Sequence, residues 1–407
     1  MILLNALFGA IVLYLSVVIT YLMLLTIGAF AMRKKCVPDA PPLRIAVVMP
    51  AHNEKLQVGP CIRRVMDTGY PHDRFSIIVI ADNCTDETAD RARDAGAIVF
   101  ERFDHTLRGK GQALDWLFRT QAELLSQYDA IAVVDADTEV HRDFLREASS
   151  SLAHPDVQVV QGYHGVSNPS ANWRTALTSA GFTLVNGLRP AGRNHWGGSA
   201  DLKGNGMAFR TGLLLKYGWP AHSIVEDLEF SLRLLLDGTI VHFNPDAVVI
   251  SEMPTSQAQA EPQRRRWESG RLQMARSFVP RLLAAFVRNP RWRYLDAALE
   301  LIISPLSAVV FLEGVALAIA LLMMREWLPF CVGIIAATIV YVAAGLCRMH
   351  APGTVWRGLL LTPLFLLWKI PFYARLAFSN KPTDWQRTQR KAEMTGSEDE
   401  EPPRVQS

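Results

Sequence analysis

Apolar residues are concentrated at the two ends of the chain, whereas the middle alternates between apolar runs and polar stretches. Residues Ile2–Met32 carry no charge, and about 20 apolar residues are enough to cross a bilayer as a helix. Arg33, Lys34 and Lys35 follow directly, which by the positive-inside rule places them in the cytoplasm and the N-terminus outside. Because no basic residue precedes this long apolar run, we expect a retained transmembrane helix over residues 1–32 and not a cleaved signal peptide.

A second apolar region predicts a helical hairpin in the membrane. Ala297–Met324 and Leu328–Cys347 are each long enough to cross a bilayer. Only Arg325-Glu326-Trp327 separates them, so the chain would turn back at once. Arg348 then marks the cytoplasmic side by its charge.

A third stretch, Gly358–Phe378, is a weaker membrane segment. It contains two prolines and a lysine, which are costly in a lipid-exposed helix. We expect it to be re-entrant or interfacial, with a third span as the alternative. It would complete a membrane region over residues 297–378, and residues 379–407 would form a cytoplasmic tail.

Residues 275–293 have apolar side chains at helical spacing with five arginines interleaved. A basic amphipathic helix on an anionic membrane surface is typical of this pattern. The alternative is a helix that packs on the soluble domain.

The middle of the chain alternates between short apolar runs and helix-like stretches. The runs that read as buried strands are Arg44–Pro50, Ser76–Ala81 and Ala130–Val134. The stretches that read as helices are Val58–Thr68, Thr88–Ala95 and Gln112–Ser126. Such alternation predicts a doubly wound α/β sheet, in which ligands bind at the carboxyl ends of the strands.

Polar clusters follow each of the three predicted strands. His52-Asn53-Glu54 follows the first, Asp82-Asn83 the second, and Asp135-Ala136-Asp137 the third. A single cluster could be a helix cap, because Asp and Asn are good N-cap residues. Three clusters at one edge of a sheet indicate a binding site instead.

Composition narrows the class of protein. The chain has 407 residues, of which 50% are hydrophobic and 20% charged, with a formal net charge of +3. It is too apolar to be disordered and too polar to consist only of membrane spans. The small net charge gives no reason to expect nucleic acid as a partner. Five cysteines without metal-ligand spacing fit a reducing compartment.

The candidate site contains carboxylates and lacks the usual phosphate-binding glycine loops. Neither G-x-G-x-x-G after the first strand nor G-x-x-x-x-G-K-[ST] occurs, which disfavours nicotinamide enzymes and P-loop ATPases. Asp135 and Asp137 lie one residue apart at a predicted strand end. Two such carboxylates can hold one hard divalent cation, which prefers oxygen ligands and bridges phosphates.

Six motifs in this order resemble the membrane-embedded, inverting branch of the family 2 glycosyltransferases. They are Pro50-Ala51-His52-Asn53-Glu54, Asp82-Asn83-Cys84-Thr85-Asp86, Arg108-Gly109-Lys110-Gly111, Asp135-Ala136-Asp137, Glu226-Asp227 and Gln263-Arg264-Arg265-Arg266-Trp267. The last is the Gln-x-x-Arg-Trp signature of enzymes similar to cellulose, chitin, hyaluronan and poly-N-acetylglucosamine synthases. The resemblance covers residues 44–271 and implies an α/β GT-A catalytic domain over residues 40–271, joined to transmembrane helices.

The resemblance also implies roles for single residues. Asp227 would be the catalytic base, with Glu226 beside it. The residues that would bind the nucleotide sugar are Asn53, Glu54, Asp82, Lys110 and Asp135. The metal, Mg²⁺ or Mn²⁺, would be ligated by Asp137 together with Asp135. The acceptor and pyrophosphate end would be lined by Gln263, Arg266 and Trp267.

Near the C-terminus, Trp385-Gln386-Arg387-Thr388-Gln389-Arg390 resembles the gating-loop motif of bacterial cellulose synthase. Trp385, Thr388 and Arg390 take the aromatic, threonine and cation positions. Arg387 stands where that motif has valine. The resemblance implies that this segment is cytoplasmic.

The activity implied is transfer of a sugar from a nucleoside diphosphate sugar, most often a UDP-sugar, with inversion onto a growing β-linked polysaccharide. The alternative is a single transfer to a lipid-linked or other acceptor, and a catalytically inactive sugar-nucleotide sensor is the alternative from another class. Membrane lipids, a second copy of the chain or an export partner would be the partners. The protein would be integral to a bacterial-type inner membrane, with its catalytic domain in the cytoplasm.

Overall fold

The structure, a computed structural model, describes residues 2–303, 305–364 and 366. Eight strands, β1 to β8, span Ile45–Ala51, Phe75–Asp82, Ile98–Arg102, Ala130–Val133, Glu139–Val140, Val159–Val166, Met207–Arg210 and Val241–Ser251. Helices α1 to α15 span Ile2–Ala31, Val58–Met66, Thr88–Asp94, Lys110–Thr120, Ala122–Leu125, Phe144–Ala153, Trp173–Phe182, Arg189–His195, Thr211–Tyr217, Glu226–Leu236, Gln257–Arg288, Trp292–Ile302, Leu306–Leu322, Leu328–Arg348 and Gly353–Leu359. Short 3₁₀ helices cover His72–Arg74 and Arg325–Trp327, and a π-helical segment covers Thr183–Leu188.

The strands form one mixed sheet in the order β3-β2-β1-β4-β7-β6-β8-β5. The first four run parallel, as expected for a doubly wound arrangement. The second half departs from that expectation, because β7 runs antiparallel to both β4 and β6 and β5 runs antiparallel to β8. The parallel half brings the carboxyl ends of β1, β2 and β4 to the same edge.

The parallel strands are apolar throughout because both faces of the sheet are covered. Successive side chains of a strand point to opposite faces. Val47 and Met49 accordingly pack in one core with α2 and α6, whereas Ala46 and Val48 pack in the other with α4 and α9.

Two helices among the described residues are long and apolar enough to cross a membrane, Leu3–Ala31 and Arg325–Arg348. The first lies in α1, where one face is buried at Leu15 and Leu22 and the opposite face is exposed at Leu13. Helix α8 crosses α1 at close range, since a Cβ on Gly192 would lie 2.1 Å from the carbonyl oxygen of Leu25. The N-terminal helix and the helices that cover the sheet therefore share a packed interface.

The expected span over Ala297–Met324 is divided. Helices α12 and α13 are bent by 68° at a short break and would supply a third span if the pair is counted as one. Pro305 lies in that break and precedes the first residue of α13. Proline cannot donate a backbone hydrogen bond and clashes with the preceding helical turn, so a continuous helix is disfavoured there.

Helix α11 is continuous from Gln257 to Arg288. This single helix contains both the Gln-x-x-Arg-Trp motif and the larger part of residues 275–293, which the sequence pattern predicts to be a separate interfacial helix. Phe278 and Leu282 are buried against residues of α10 and α12, whereas Val287 is exposed. Most of the apolar face packs on protein, as the alternative interpretation proposes. Of the stretch 358–378, only residues 358–364 and 366 belong to the described part.

Candidate active site

Residues that follow β1, β2 and β4 line one cavity of about 820 Å³. Glu54, Asp82, Asp135 and Asp137 all contribute to its wall. The parallel register of the three strands produces this convergence, because it aligns their carboxyl ends. The volume lies near the upper end of the range of roughly 300–1,000 Å³ common for ligand sites.

Asn53 does not line this cavity, although the resemblance implies that it binds nucleotide sugar. Its backbone has a φ of 55°, a left-handed conformation that Asn tolerates better than most residues. Its Oδ1 accepts a hydrogen bond of 2.8 Å from the backbone N–H of Thr85. Asn53 therefore ties the loop after β1 to the loop after β2.

Asp82 is held by a buried ion pair that sequence reasoning missed. Arg102 Nη1 donates to Asp82 Oδ1 at 2.6 Å, and both side chains are almost fully buried. Asn83 Nδ2 donates to the same oxygen at 3.0 Å. Burial raises the pKa of Asp82, and the Arg102 charge opposes that rise. No local motif signals this ion pair, because Arg102 meets Asp82 only through the pairing of β3 with β2.

Lys110, the first residue of α4, joins the strand ends to a glycine-containing loop. Its Nζ contacts Asp135 Oδ1 and the carbonyl oxygen of Gly204. The backbone N–H of Asp135 also donates to Asn205 Oδ1 at 3.2 Å. The loop containing Gly204 and Asn205 is thereby fastened to the end of β4.

Glu226 and Asp227 begin helix α10 and both line the cavity. Asp227 Oδ1 accepts the backbone N–H of Leu228 at 2.8 Å. A Cβ on Gly204, whose φ is 76°, would lie 3.2 Å from Asp227 Oδ2. The absence of a side chain there lets the loop backbone approach the carboxylate.

Burial raises the pKa values of both Glu226 and Asp227. Burial raises the pKa of Glu226 to about 7, and the neighbouring Asp227 charge adds to the rise, while Lys110 and Arg266 oppose it. Burial also raises the pKa of Asp227, against the Leu228 hydrogen bond and the charges of Lys110 and Lys203. Adjacent buried carboxyls of this kind favour retention of one proton by the pair.

Gln263, Arg266 and Trp267 lie on α11 and line the same cavity. Their spacing of three and four residues places them on one face of the helix. The Trp267 ring packs against Phe182, with ring centroids 5.9 Å apart. One turn further, a Cβ on Gly270 would lie 2.6 Å from Val225 Cγ1. This close approach sets α11 against the residue that immediately precedes Glu226.

The cavity extends beyond its polar part to the helices of the membrane region. We define its apolar wall as the aliphatic lining residues contributed by α7, α13, α14 and α15: Leu177, Leu306, Val310, Val342 and Leu359. We define its carboxylate wall as five of its acidic lining residues, Asp82, Asp135, Asp137, Glu226 and Asp227. A single cavity thus joins surfaces of opposite chemistry.

Lys203 and His164 are lining residues that sequence reasoning missed. Lys203 is half-buried, and its Nζ lies 3.7 Å from Asp201 Oδ2. Burial lowers the pKa of Lys203, and burial lowers the pKa of His164 to about 4, which leaves a neutral imidazole at pH 7. Lys203 directly precedes Gly204-Asn205-Gly206 in the sequence. This position next to the loop could have identified Lys203 as a cavity residue.

The gating-loop resemblance at Trp385, Thr388 and Arg390 lies outside the described residues, as does the tail 379–407.

The donor set at the strand ends fits a metal that binds together with a phosphate-containing ligand. Within the described residues, no group of three or more His, Cys, Asp or Glu side chains is arranged to hold a metal alone. Asp135 and Asp137 nevertheless share the cavity. Mg²⁺ is usually bound by one or two carboxylates and completed by substrate phosphates, and this chain supplies two.

Sequence comparison matches this part of the chain to known proteins. A family model described as "Glycosyltransferase like family 2" matches residues 41–270. The probable glycosyltransferase YdaM of Bacillus subtilis is 27% identical over 258 residues, covering 61% of this chain and 59% of that protein. The β-monoglucosyldiacylglycerol synthase of Synechocystis is 28% identical over 265 residues, covering 60% and 54%. An N-acetylglucosaminyltransferase of Rhizobium meliloti is 24% identical over 361 residues, covering 84% and 80%.

Structural comparison supports the same fold. A mannosyltransferase from Pyrobaculum calidifontis, solved with GDP-Man and Mn²⁺, superposes with a TM-score of 0.50 and 20% identity, covering 82% of this chain and 99% of that one. At this identity the similarity concerns the fold alone. The first two relatives are matched over less than two thirds of their own lengths. The match of the family model over more than half of the sequence places the chain in glycosyltransferase family 2, with a catalytic domain of the GT-A fold.

Proposed function

We propose that the protein transfers a sugar from a nucleoside diphosphate sugar to an acceptor hydroxyl, with inversion at the anomeric carbon. The observation that supports this most strongly is that Lys110 contacts both Asp135 and the backbone of Gly204, the residue that lies against the Asp227 carboxylate. A donor diphosphate needs cations, and an attacking hydroxyl needs a base. Both kinds of group line this one cavity.

The nucleotide would bind at the ends of β1 and β2. Asp82, oriented by Arg102, offers a fixed acceptor for an N–H group of the base, as uracil provides. We therefore propose a UDP-sugar as donor, with Glu54 and Asp135 also lining the nucleotide site. Asn53 contributes indirectly, by holding the two loops together.

Asp137 and Asp135 would hold Mg²⁺ or Mn²⁺ together with the donor diphosphate. A divalent cation in this position supplies electrostatic stabilisation of the negative charge that develops on the leaving diphosphate. Lys110 already contacts Asp135 and lies in reach of the same phosphates. Arg266 contributes a second positive charge to this side of the cavity, where it acts on Glu226.

Asp227 would accept the proton of the acceptor hydroxyl as that oxygen attacks the sugar. Glu226, whose pKa is raised to about 7, would hold a proton near neutral pH and leave Asp227 as the ionised partner. The helix N-terminus and the Leu228 N–H keep Asp227 oriented. Gln263 and Trp267 would position the acceptor, the tryptophan by presenting a flat face to a sugar ring.

We propose a single transfer to an acceptor that resides in the membrane. The apolar wall of the cavity supports this, because α13 and α14 belong to the candidate membrane segments. The positive charges of Arg33, Lys34 and Lys35 favour a cytoplasmic catalytic domain in a bacterial-type inner membrane. Growing β-linked polysaccharide is the second candidate acceptor, supported by the Gln-x-x-Arg-Trp signature.

Product analysis with the purified protein tests the proposal. The protein in lipid nanodiscs is supplied with Mn²⁺, a panel of radiolabelled UDP-sugars and a bacterial polar lipid extract. We expect one donor to give a single organic-soluble adduct whose anomeric configuration, read by NMR, is inverted. A water-soluble polymer would support the second candidate. Retention of configuration, or no product from any donor, would contradict the proposed reaction.

A further inference from the structure

The apolar wall of the active-site cavity is unsuited to the donor. Its aliphatic residues are half-buried and line the same cavity as the catalytic carboxylates. A nucleoside diphosphate sugar is polar and anionic, so contact with Leu306, Val310 or Leu359 would cost it hydration without a compensating hydrogen bond. An apolar ligand would therefore fit these positions better than the donor.

We propose that the apolar wall binds the hydrocarbon chain of a membrane lipid, whose headgroup presents the hydroxyl that receives the sugar. The proposal rests on the proposed function and names its acceptor class. The chain would lie between α7 and the membrane-side helices, and the headgroup would reach the Asp227 carboxylate. The aliphatic wall would let the acyl chain leave the bilayer without exposing its CH₂ groups to water.

The positions of the wall residues explain how such a lipid could enter. Val342 lies on α14 only two turns before Arg348, the last residue of that helix. Val310 lies on α13, shortly after the 68° break between α12 and α13. The wall therefore lies near the ends of these two helices and not at their middle, so that a lipid could reach it from the end of a candidate span.

A polysaccharide would require a different wall. Sugar rings bind to aromatic faces and to hydrogen-bonding side chains. The aromatic residues of the cavity, Trp267 and Phe182, pack against each other beside the catalytic machinery. The wall formed by Leu177, Val310 and Val342 is aliphatic. Aliphatic surface matches methylene groups, which favours a lipid chain over a glycan.

The junction between the two walls would hold the headgroup. Arg264 on α11 donates to Thr178 Oγ1 on α7 at 2.9 Å. This contact links the helix of the Gln-x-x-Arg-Trp motif to the helix that bears Leu177. The apolar wall at Leu177 and the Gln-x-x-Arg-Trp motif are consequently linked by a direct hydrogen bond.

Photocrosslinking tests this site without requiring turnover. The full chain is placed in phosphatidylcholine nanodiscs that contain a diacylglycerol with a diazirine in its acyl chain, irradiated, digested and mapped. Val310→Phe fills the apolar wall, and Val315→Phe makes the same change on α13 at a position that is 37% exposed on the outer surface. We expect adducts on cavity residues in the wild type and in Val315→Phe, and at least a fivefold loss in Val310→Phe.

A second measurement tests whether lipid binding at the apolar wall contributes to sugar transfer. Transfer is compared for diacylglycerols with eight-carbon and eighteen-carbon chains, and hydrolysis of the donor by water is followed in parallel. We expect kcat/KM to rise with chain length in the wild type and Val315→Phe but not in Val310→Phe, with donor hydrolysis equal in the wild type and Val315→Phe. Adducts confined to the outer helix faces, or equal cavity labelling in both variants, would overturn the lipid site. Absence of donor hydrolysis and of transfer in every protein would instead refute the proposed function.

Discussion

Tyr21 in the N-terminal helix donates a hydrogen bond of 2.8 Å to Asp296 Oδ1, although 275 residues separate them. Asp296 Oδ2 in turn accepts from Arg193 Nε at 2.8 Å. Arg193 Nη1 reaches Asp201 Oδ1, also at 2.8 Å. Because Asp201 lies two residues before Lys203 at the cavity, this buried network connects the first membrane helix to the loop beside Asp227.

Breaking the network should affect stability and activity together. In Asp296→Ala, Arg193 loses one of its two buried partners, and removal of one partner from a buried ion pair typically costs about 3–5 kcal/mol. Tyr21→Phe removes only one hydrogen bond, and we expect a loss of about 1 kcal/mol. Thermal unfolding in detergent and kcat with saturating donor measure both effects.

Ser16→Ala is the matched control for Tyr21→Phe. Ser16 Oγ lies on the same helix and donates only to the carbonyl oxygen of Val12 at 2.8 Å. We expect its kcat to equal that of the wild type. If Asp296→Ala unfolds at the wild-type temperature, the network does not join the membrane region to the catalytic domain.

Gly270 should be intolerant of a methyl group. Alanine normally stabilises a helix relative to glycine by about 1 kcal/mol, but a Cβ here would lie 2.6 Å from Val225 Cγ1. Gly270→Ala should therefore push α11 away from Glu226 and lower kcat at least tenfold. Val225→Ala removes the clashing methyl groups, so the double variant Gly270→Ala, Val225→Ala should recover most of the activity.

Gly314→Ala provides the comparison for that helix substitution. A Cβ at Gly314 meets no described atom within 4 Å, so this variant should keep its activity and not lose stability. Steady-state kinetics of the wild type, Gly270→Ala, the double variant and Gly314→Ala measure these differences in kcat. A double variant no more active than Gly270→Ala would show that contact with Val225 is not the cause.

The buried carboxyl of Glu226 should make stability depend on pH in a defined direction. Its pKa is raised from 4.5 to about 7 in the folded protein, so the folded state binds more protons than the unfolded state between these values. Stability contributed by this group is then lost as pH rises from 4.5 to about 7. Glu226→Gln, which stays neutral, should be more stable than the wild type at pH 8, by roughly 1–3 kcal/mol.

The difference between the two proteins should shrink as the pH falls towards 4.5, because Glu226 is then protonated in both states. Glu123→Gln on the surface helix α5 serves as the control, since Glu123 is remote from the cavity wall. Chemical unfolding at pH 5 and pH 8 measures the difference. If the free energies of unfolding of Glu226→Gln and the wild type differed by the same amount at pH 5 and at pH 8, Glu226 would not titrate in this range.

Metal dependence should appear in donor binding as well as in turnover. Asp137→Ala should weaken the gain in UDP affinity that Mn²⁺ provides to the wild type, because the cation would bridge Asp137 and the diphosphate. Calorimetric titration of UDP with Mn²⁺ and with EDTA measures that gain. Asp90→Ala alters an exposed aspartate paired only with Arg93 and should keep it. Equal UDP affinity in Mn²⁺ and EDTA for the wild type would contradict a metal at this site.

Periodicity and strand-end chemistry were sufficient to predict three of the four parallel strands, but not β3. The buried runs at β1, β2 and β4 lie within one residue of their predicted bounds, because strands covered on both faces are continuously apolar. Strand β7 was missed, since four residues, Met207–Arg210, carry no alternating pattern. Its antiparallel direction depends on tertiary packing that local sequence does not express.

The candidate site likewise contains residues that local sequence identifies and residues that only tertiary packing brings together. Residues in local motifs, such as Asp135 and Asp227, could be chosen from the sequence because each follows or begins a recognisable element. Arg102 could not, since its partner Asp82 becomes a neighbour only through strand pairing. The apolar wall was equally hidden, because Leu177 and Val342 meet through helix packing between distant parts of the chain.

Comparison of Asp227→Asn with Asp237→Asn tests the central claim most directly. The two aspartates mark the beginning and the end of α10, and only Asp227 lines the cavity. The measurement is the single-turnover rate of sugar transfer from the labelled donor, together with UDP affinity by calorimetry. Loss of a general base typically slows the reaction about 10²–10⁴-fold, so we expect that fall in Asp227→Asn with UDP affinity retained, and a wild-type rate in Asp237→Asn. A near-normal transfer rate in Asp227→Asn would contradict the account.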